Sequence, residues 1–295
     1  MTVLIIILAL AVSHYAGVYM QGIKHRAFHL AFAQVRPALD FPGGLLLVVA
    51  VPALLVGGIE WWLWQGETPL LGFLFSTLVF IWAWGSRDLD RDVQAYLGAE
   101  EGPDRDAAAE QLLFAYRAPA DDEAADNPET PDVVRGVFYQ GLIRWFGTML
   151  WFLVGGAGAA LAYRVFQVLL CEADNRELLS ESQVAFLNRW ISLINWPAAV
   201  LATLALVVVG DFDRAIGKIR ACLSSGRSLL SWDREIYPAV GCVHALDGDD
   251  LEDAFSHDYA GELGQVNAAM SLVWRVLVCW LTVIAIIQLT ILTSQ

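Results

Sequence analysis

The feature that most constrains this chain is a set of six apolar runs, five of a length that suits a membrane crossing and one shorter. A bilayer core of about 30 Å needs roughly 20 apolar residues in a helix. Val3–Met20 is broken only by Ser13 and His14, and Gly43–Leu63 closes on Trp61, Trp62 and Trp64. Leu70–Trp84 is short and aromatic, while Trp145–Tyr163 carries the small-residue stretch Gly155-Gly156-Ala157-Gly158-Ala159-Ala160. Ile191–Val209 has Asn195 and Pro197 near its start, and Met270–Leu292 is interrupted mainly by Arg275. Trp and Tyr gather at the ends of these runs, as an interfacial belt requires, because an indole has an apolar body and one N–H that wants water. The first run lacks a basic leader region and stays apolar past the candidate cleavage sites, so it reads as a retained helix rather than a signal peptide.

Composition agrees and narrows the class. Hydrophobic residues make up 57% of the chain and charged ones 17%, against about 25% charged in ordinary soluble domains. That excludes a disordered chain, a nucleic-acid-binding protein and a typical cytosolic enzyme. The expected fold class is all-α: a polytopic integral membrane protein of about six transmembrane helices with two acidic cytoplasmic loops.

The net charge of −14 then has to sit outside the apolar runs. Residues 86–135 hold fourteen acids and five Arg, and residues 211–269 hold eleven acids and five bases. The rest of the chain is nearly neutral. Five segments follow: membrane helices over 1–85, an acidic loop over 86–135, two further membrane helices over 136–210, a second loop over 211–269, and a last helix over 270–295. Six crossings place the basic-rich segments 21–42, 86–135 and 211–269 on one side, which the positive-inside rule makes cytoplasmic.

Within the first loop, Arg87 and Arg91 share one helix face and Asp88 and Asp92 the next, at i,i+4. Ala107–Arg117 reads as a second helix with Leu112, Leu113 and Tyr116 on its apolar stripe, and Pro119–Pro131 as a turn-rich acidic connector. In the second loop, Phe212, Ile216, Ile219 and Leu223 form the stripe of an amphipathic helix, suited either to the membrane interface or to packing on its own neighbours. Residues 244–262 form a second acidic tract.

Few groups carry chemistry. The four Cys are scattered and make no CxxC pair, which argues against a disulfide framework or a thiolate metal site. His25 and His29 stand at metal-ligand spacing with no third ligand nearby in sequence. Gly155 to Gly158 lacks the Lys of a phosphate loop and reads as close helix packing, a surface that permits a homodimer. The cluster Arg87, Asp88, Asp90, Arg91 and Asp92 sits just past a membrane helix. It reads either as a salt-bridged helix end or as a holder of phosphate, directly or through Mg²⁺ at Asp88 and Asp92. Arg164, beside Tyr163, ends an apolar helix where a lone charge is expensive and either snorkels or is partnered.

Taken in order, the motifs resemble a known family. Arg87-Asp88-Leu89-Asp90-Arg91-Asp92-Val93-Gln94-Ala95-Tyr96, the run from Phe138 to Arg164 with its Gly-Ala-x-x-Tyr-Arg ending, Asn195-Trp196-Pro197-Ala198 and Gly210-Asp211-Phe212-Asp213 are together similar to AmpE. AmpE is a family of inner-membrane proteins associated with β-lactamase induction and antibiotic resistance. AmpE in turn resembles, more distantly, the CobD/CbiB cobinamide-phosphate synthases. The chain departs from the synthase pattern at Pro131–Val137, and Ala199 stands where both families are expected to have Arg. The resemblance implies a multi-pass protein of the bacterial inner membrane with a regulatory or sensory role linked to cell-wall recycling. It implies a functional link to the AmpD amidase, the lipid bilayer as surroundings, no nucleic-acid partner and no resident cofactor. The alternative it leaves is a CobD/CbiB-like ligase or transferase acting on a phosphate-bearing small molecule. Under either reading the ligand candidates are Arg87, Asp88, Asp90, Arg91, Asp92, Tyr163, Arg164 and Asn195.

Overall fold

A computed structural model describes residues 4–6, 8–9, 44–66, 69–84, 89–117, 129–171, 179–226, 228–246 and 261–293. All regular structure among them is helical. Among the described residues, four helical runs are long and apolar enough to cross a membrane: Gly44–Gln65, Thr130–Leu170, Glu181–Val209 and Glu262–Ile291. A shorter apolar helix covers Pro69–Ala83. Residues 4–6 and 8–9 are helical; the rest of the Val3–Met20 run, His25, His29, Arg87 and Asp88 lie outside the described residues.

The chain divides into two units, one made from residues 1–88 and 147–191 and the other from 89–146 and 192–295. In the first, α1 (Gly44–Gln65) and α2 (Pro69–Ala83) pack with α6 (Gly147–Cys171). α1 runs through Pro52 without interruption. Phe80 of α2, fully buried, packs on Phe152 of α6 with ring centroids 4.3 Å apart and the rings tilted by 38°.

α6 corrects the expectation of a single straight span over Trp145–Tyr163. Gly155 (φ −136°, ψ 21°) and Gly156 (φ 66°, ψ −157°) leave helical geometry in mid-run. A straight helix would hold residues 147 and 163 about 24 Å apart, yet a side chain added at Gly147 would collide with the Tyr163 ring and hydroxyl. Gly147–Val154 and Ala157–Cys171 are therefore two arms folded back on each other. The conformation of Gly156 is open only to glycine. The close packing expected of the small-residue stretch is present as well: a Cβ at Gly158 would stand 2.7 Å from the Ala53 carbonyl oxygen and 3.0 Å from the Gly57 backbone.

The second unit joins short polar helices to apolar ones. α3 (Leu89–Gly98) and α4 (Pro103–Arg117) form a pair, with Leu89, Val93, Leu112 and Leu113 buried. α4 begins four residues before the expected Ala107, because Pro103 suits a first turn whose N–H groups have no helical partner. α5 (Thr130–Gly141) is almost wholly buried and packs against α4, α9 (Tyr237–Leu246) and α10 (Glu262–Thr293). α7 (Glu181–Val209) crosses from the first unit into the second at Ser192. α8 (Phe212–Ser224) starts at Asp211, whose Oδ1 accepts from the Asp213 and Arg214 amides at 2.9 and 3.1 Å. That capping holds the Asp211 carboxyl below its ordinary range. Of the faces of α8, Ala215 and Cys222 are buried while Phe212 and Leu223 stay exposed.

Candidate functional site

Two π-helical turns break the regular helices of the second unit, Leu142–Phe146 after α5 and Trp232–Ile236 before α9. Such turns are rare and frequent at functional sites, because one extra residue re-aims the side chains that follow. The first carries Arg144 and the second carries Asp233, Arg234 and Glu235. Around them lies most of the polar chemistry of the unit.

Arg144 Nη1 donates to Asp92 Oδ2 at 2.7 Å and Arg144 Nε to Gln140 Oε1 at 2.9 Å. Both charged side chains of the pair are about nine-tenths buried (12% and 11% exposed). Gln140 is itself buried and donates to the Leu112 carbonyl at 3.1 Å. One connected network thus ties α3, α4, α5 and the first π turn. Asp92, read from the sequence either as part of a salt-bridged helix end or as a holder of phosphate or Mg²⁺, faces a guanidinium. Asp90 accepts from Gln94 at 2.8 Å, one turn along the same helix, and Arg91 is exposed. Among the described residues, no group of three or more His, Cys, Asp or Glu side chains is arranged to hold a metal ion.

Asn195, fully buried on α7, donates from Nδ2 to Asp233 Oδ2 at 3.2 Å. Asp233 is 0% exposed, and its Oδ1 has no hydrogen-bond partner. Burial pushes its carboxyl up to about 6, against the pull of Arg234 and Asn195. Arg234 lies over the Tyr139 ring at 5.6 Å, a cation–π contact between the second π turn and α5. Trp232 Nε1 donates to Thr203 Oγ1 at 2.9 Å, a second tie from this turn to α7. Burial also raises the Tyr237 hydroxyl, raises the Cys242 thiol to about 11 and lowers the His244 imidazole, leaving the last two neutral at pH 7.

No family model matches this chain, and no curated protein and no solved structure matches it either.

The first unit holds the other candidates. Tyr163 is 1% exposed and sits at Gly147; Arg164 is half-buried and donates to Gln167 Oε1 at 3.0 Å. The unit also holds a group that the sequence reading passed over. Glu60, on α1, takes the Ala157 amide on Oε2 at 2.8 Å and the Ser76 hydroxyl on Oε1 at 2.6 Å. Its carboxylate caps the second arm of α6 where that arm restarts after the break, and a Cβ at Gly156 would stand 2.6 Å from Oε2. A lone acid inside the Gly43–Leu63 run was the available signal, since an ionisable group in an apolar span needs a named partner.

The eight sequence-derived candidates therefore divide. Asp90, Arg91, Asp92 and Asn195 belong to the second unit, Tyr163 and Arg164 to the first, and Arg87 and Asp88 lie outside the described residues. Asp92 and Asn195 each hold a charged or polar group brought from 38 or 52 residues away.

Proposed function

We propose that this chain is an AmpE-like, multi-pass protein of the bacterial inner membrane. Its role in this reading is regulatory or sensory, linked to β-lactamase induction and cell-wall recycling. Membrane residence is supported by the four long apolar helices and by what they leave uncovered: Leu54, Trp61, Trp62, Leu204, Val208, Ile286 and Leu289 are all exposed. Large apolar side chains left uncovered along each of these helices suit lipid rather than water. The link to the AmpD amidase and a homodimeric state belong to the same proposal.

The observation that carries the regulatory reading is the Asp92–Arg144 pair. It joins α3, a polar helix of the first acidic loop, to the π turn Leu142–Phe146 that follows α5, through one nearly buried contact. A change in the packing of α3 has to be met there, because separating the two charges leaves each in a poor environment. Such a contact passes a state of the loop to the π turn and to α5 within the same unit.

The test uses a strain lacking the gene, with β-lactamase induction by a sub-inhibitory β-lactam as readout. The wild-type chain is expected to restore the normal response. Asp92→Asn and Arg144→Gln are expected to lose it at equal membrane abundance, and the exchanged pair Asp92→Arg with Arg144→Asp to recover part of it. Full response from both single variants removes the coupling role. Restored cobamide-dependent growth in a synthase-deficient strain would instead favour the CobD/CbiB-like enzyme.

A further inference from the structure

A cavity of about 530 Å³ opens in the second unit between the α3–α4 pair and the first turns of α5 and α10. Its charged and polar wall includes Tyr96, Arg105, Asp106, Glu129, Glu262 and Gln265. Both acidic tracts of the sequence end on it, the first through Glu129 and Thr130 and the second through Glu262. None of these groups enters the Asp92–Arg144 network.

Tyr96 is the informative residue. It is 6% exposed, so its ring is packed away, while its hydroxyl lines the cavity. Among the described residues that hydroxyl has no hydrogen-bond partner. A tyrosine packed this way ordinarily places its hydroxyl on a partner, and here it opens on the cavity beside charged groups: burial raises its pKa most, Arg105 lowers it, and Glu262 and Asp106 raise it. Arg105 is held in place rather than free to swing. Its Nη2 and Nε donate to the Ala99 carbonyl at 2.8 and 3.3 Å, and Nη1 pairs with Glu101 at 3.4 Å. The Arg105 charge is thus partly engaged by the α3–α4 turn, and three carboxylates remain on the wall. α5 starts at Glu129 without a side-chain cap, so the backbone at that end can still meet an acceptor.

We infer that this cavity binds a small polar molecule bearing an ammonium group, of the amine or short-peptide class. Glu129, Glu262 and Asp106 receive the ammonium hydrogens and the Tyr96 hydroxyl supplies an orienting hydrogen bond. The volume lies within the range of small-molecule sites, about 300–1,000 Å³. Tyr96 stands one helical turn past Asp92 on α3, so a ligand here acts on the helix that carries the ion pair. The binding itself does not rest on the regulatory reading, because it is measured on the purified chain.

Isothermal titration calorimetry on the full chain in lipid nanodiscs tests it with three probes. Glycylglycinamide carries an ammonium and no carboxylate. N-acetylglycylglycinamide carries neither, and N-acetylglycylglycine carries only the carboxylate. Glycylglycinamide is expected to bind, and both acetylated probes to bind at least about tenfold more weakly, the worth of one charge-assisted hydrogen bond. Glu129→Gln with Glu262→Gln, both at exposed positions and so tolerated by the fold, should weaken glycylglycinamide by about tenfold. Tyr96→Phe should weaken it a few-fold with an unchanged melting temperature. The site is overturned if no probe binds up to about 10 mM. It is equally overturned if the carboxylate probe binds best, or if the double variant binds glycylglycinamide as the wild type does.

Discussion

Glu60, half-buried in the first unit, and Asp233, fully buried in the second, are both carboxylates held by hydrogen bonds, and the chain serves them in two different ways. Glu60 receives a donor on each oxygen, the Ala157 amide and the Ser76 hydroxyl. Asp233 receives Asn195 on one oxygen and nothing on the other. Buried polar groups are usually satisfied, and a deficit in a π-helical turn marks a place where stability is given up. The contrast teaches that Glu60 is an architectural group and Asp233 a strained one. Substitutions at the two positions should therefore move stability in opposite directions.

The largest effect is expected at the reversal that Glu60 caps. Gly156→Val puts a β-branched side chain at φ 66°, ψ −157° and within 2.6 Å of the Glu60 carboxylate. Backbone strain and overpacking together should cost about 3 kcal/mol or more. Thermal unfolding in detergent should show a large drop in the midpoint. A melting temperature within a degree or two of wild type would mean that the two arms of α6 do not fold back as described.

Next comes the cap itself. Glu60→Leu strands the Ala157 amide and the Ser76 hydroxyl, at about 1–3 kcal/mol for each unsatisfied buried donor. Glu60→Gln keeps one good acceptor and should cost clearly less. Equal losses in the two variants would show that the side chain matters for its volume and not for its oxygens.

At Asp233 the sign reverses. Its folded-state carboxyl lies near 6 and the unfolded value near the ordinary 3.8, so the folded state binds the extra proton between those values. Stability should then fall as pH rises from about 4 to about 6, and stay low above that. A shift of this size corresponds to about 3 kcal/mol against the folded state at neutral pH. Asp233→Asn keeps a hydrogen-bonding group for Asn195 and removes the charge. The midpoint at pH 7 should rise and the slope between pH 4 and 6 should flatten. A lower midpoint at pH 7 would place Asp233 with Glu60 among the satisfied groups.

What the sequence shows of this molecule follows from how local each cause is. The apolar runs are legible because length and composition alone make a helix long and greasy, and the α3 and α8 helices because i,i+4 spacing is a property of neighbours. The close approach at Gly158 is also legible, since small residues in an apolar run permit tight packing. The reversal at Gly155–Gly156 is not, because two glycines in such a run suit tight packing and a break equally. What decides is Glu60, a residue 97 positions away. Asp92 was picked out as a charged helix end, but its true neighbour, Arg144, arrives from the start of another helix. Asp233 gave no local signal at all, lying in an ordinary-looking Trp-Asp-Arg-Glu run.

The smallest effect is expected at the surface of α8, and it sharpens the comparison by leaving both carboxylates alone. Phe212 and Leu223 are 62% and 41% exposed, while Ala215 and Cys222 carry the packing of this helix. Phe212→Ser with Leu223→Ser should therefore change folding stability by no more than about 0.5 kcal/mol, the usual range for exposed positions. Arg214, Lys218 and Arg220 lie on the same helix, the arrangement of a segment resting on anionic lipid. The double variant should leave the melting temperature unchanged in neutral detergent. In nanodiscs containing anionic lipid it should increase the deuterium uptake of residues 212–224. A loss of stability in detergent would show instead that the apolar stripe packs on protein, which is the other arrangement its spacing allows.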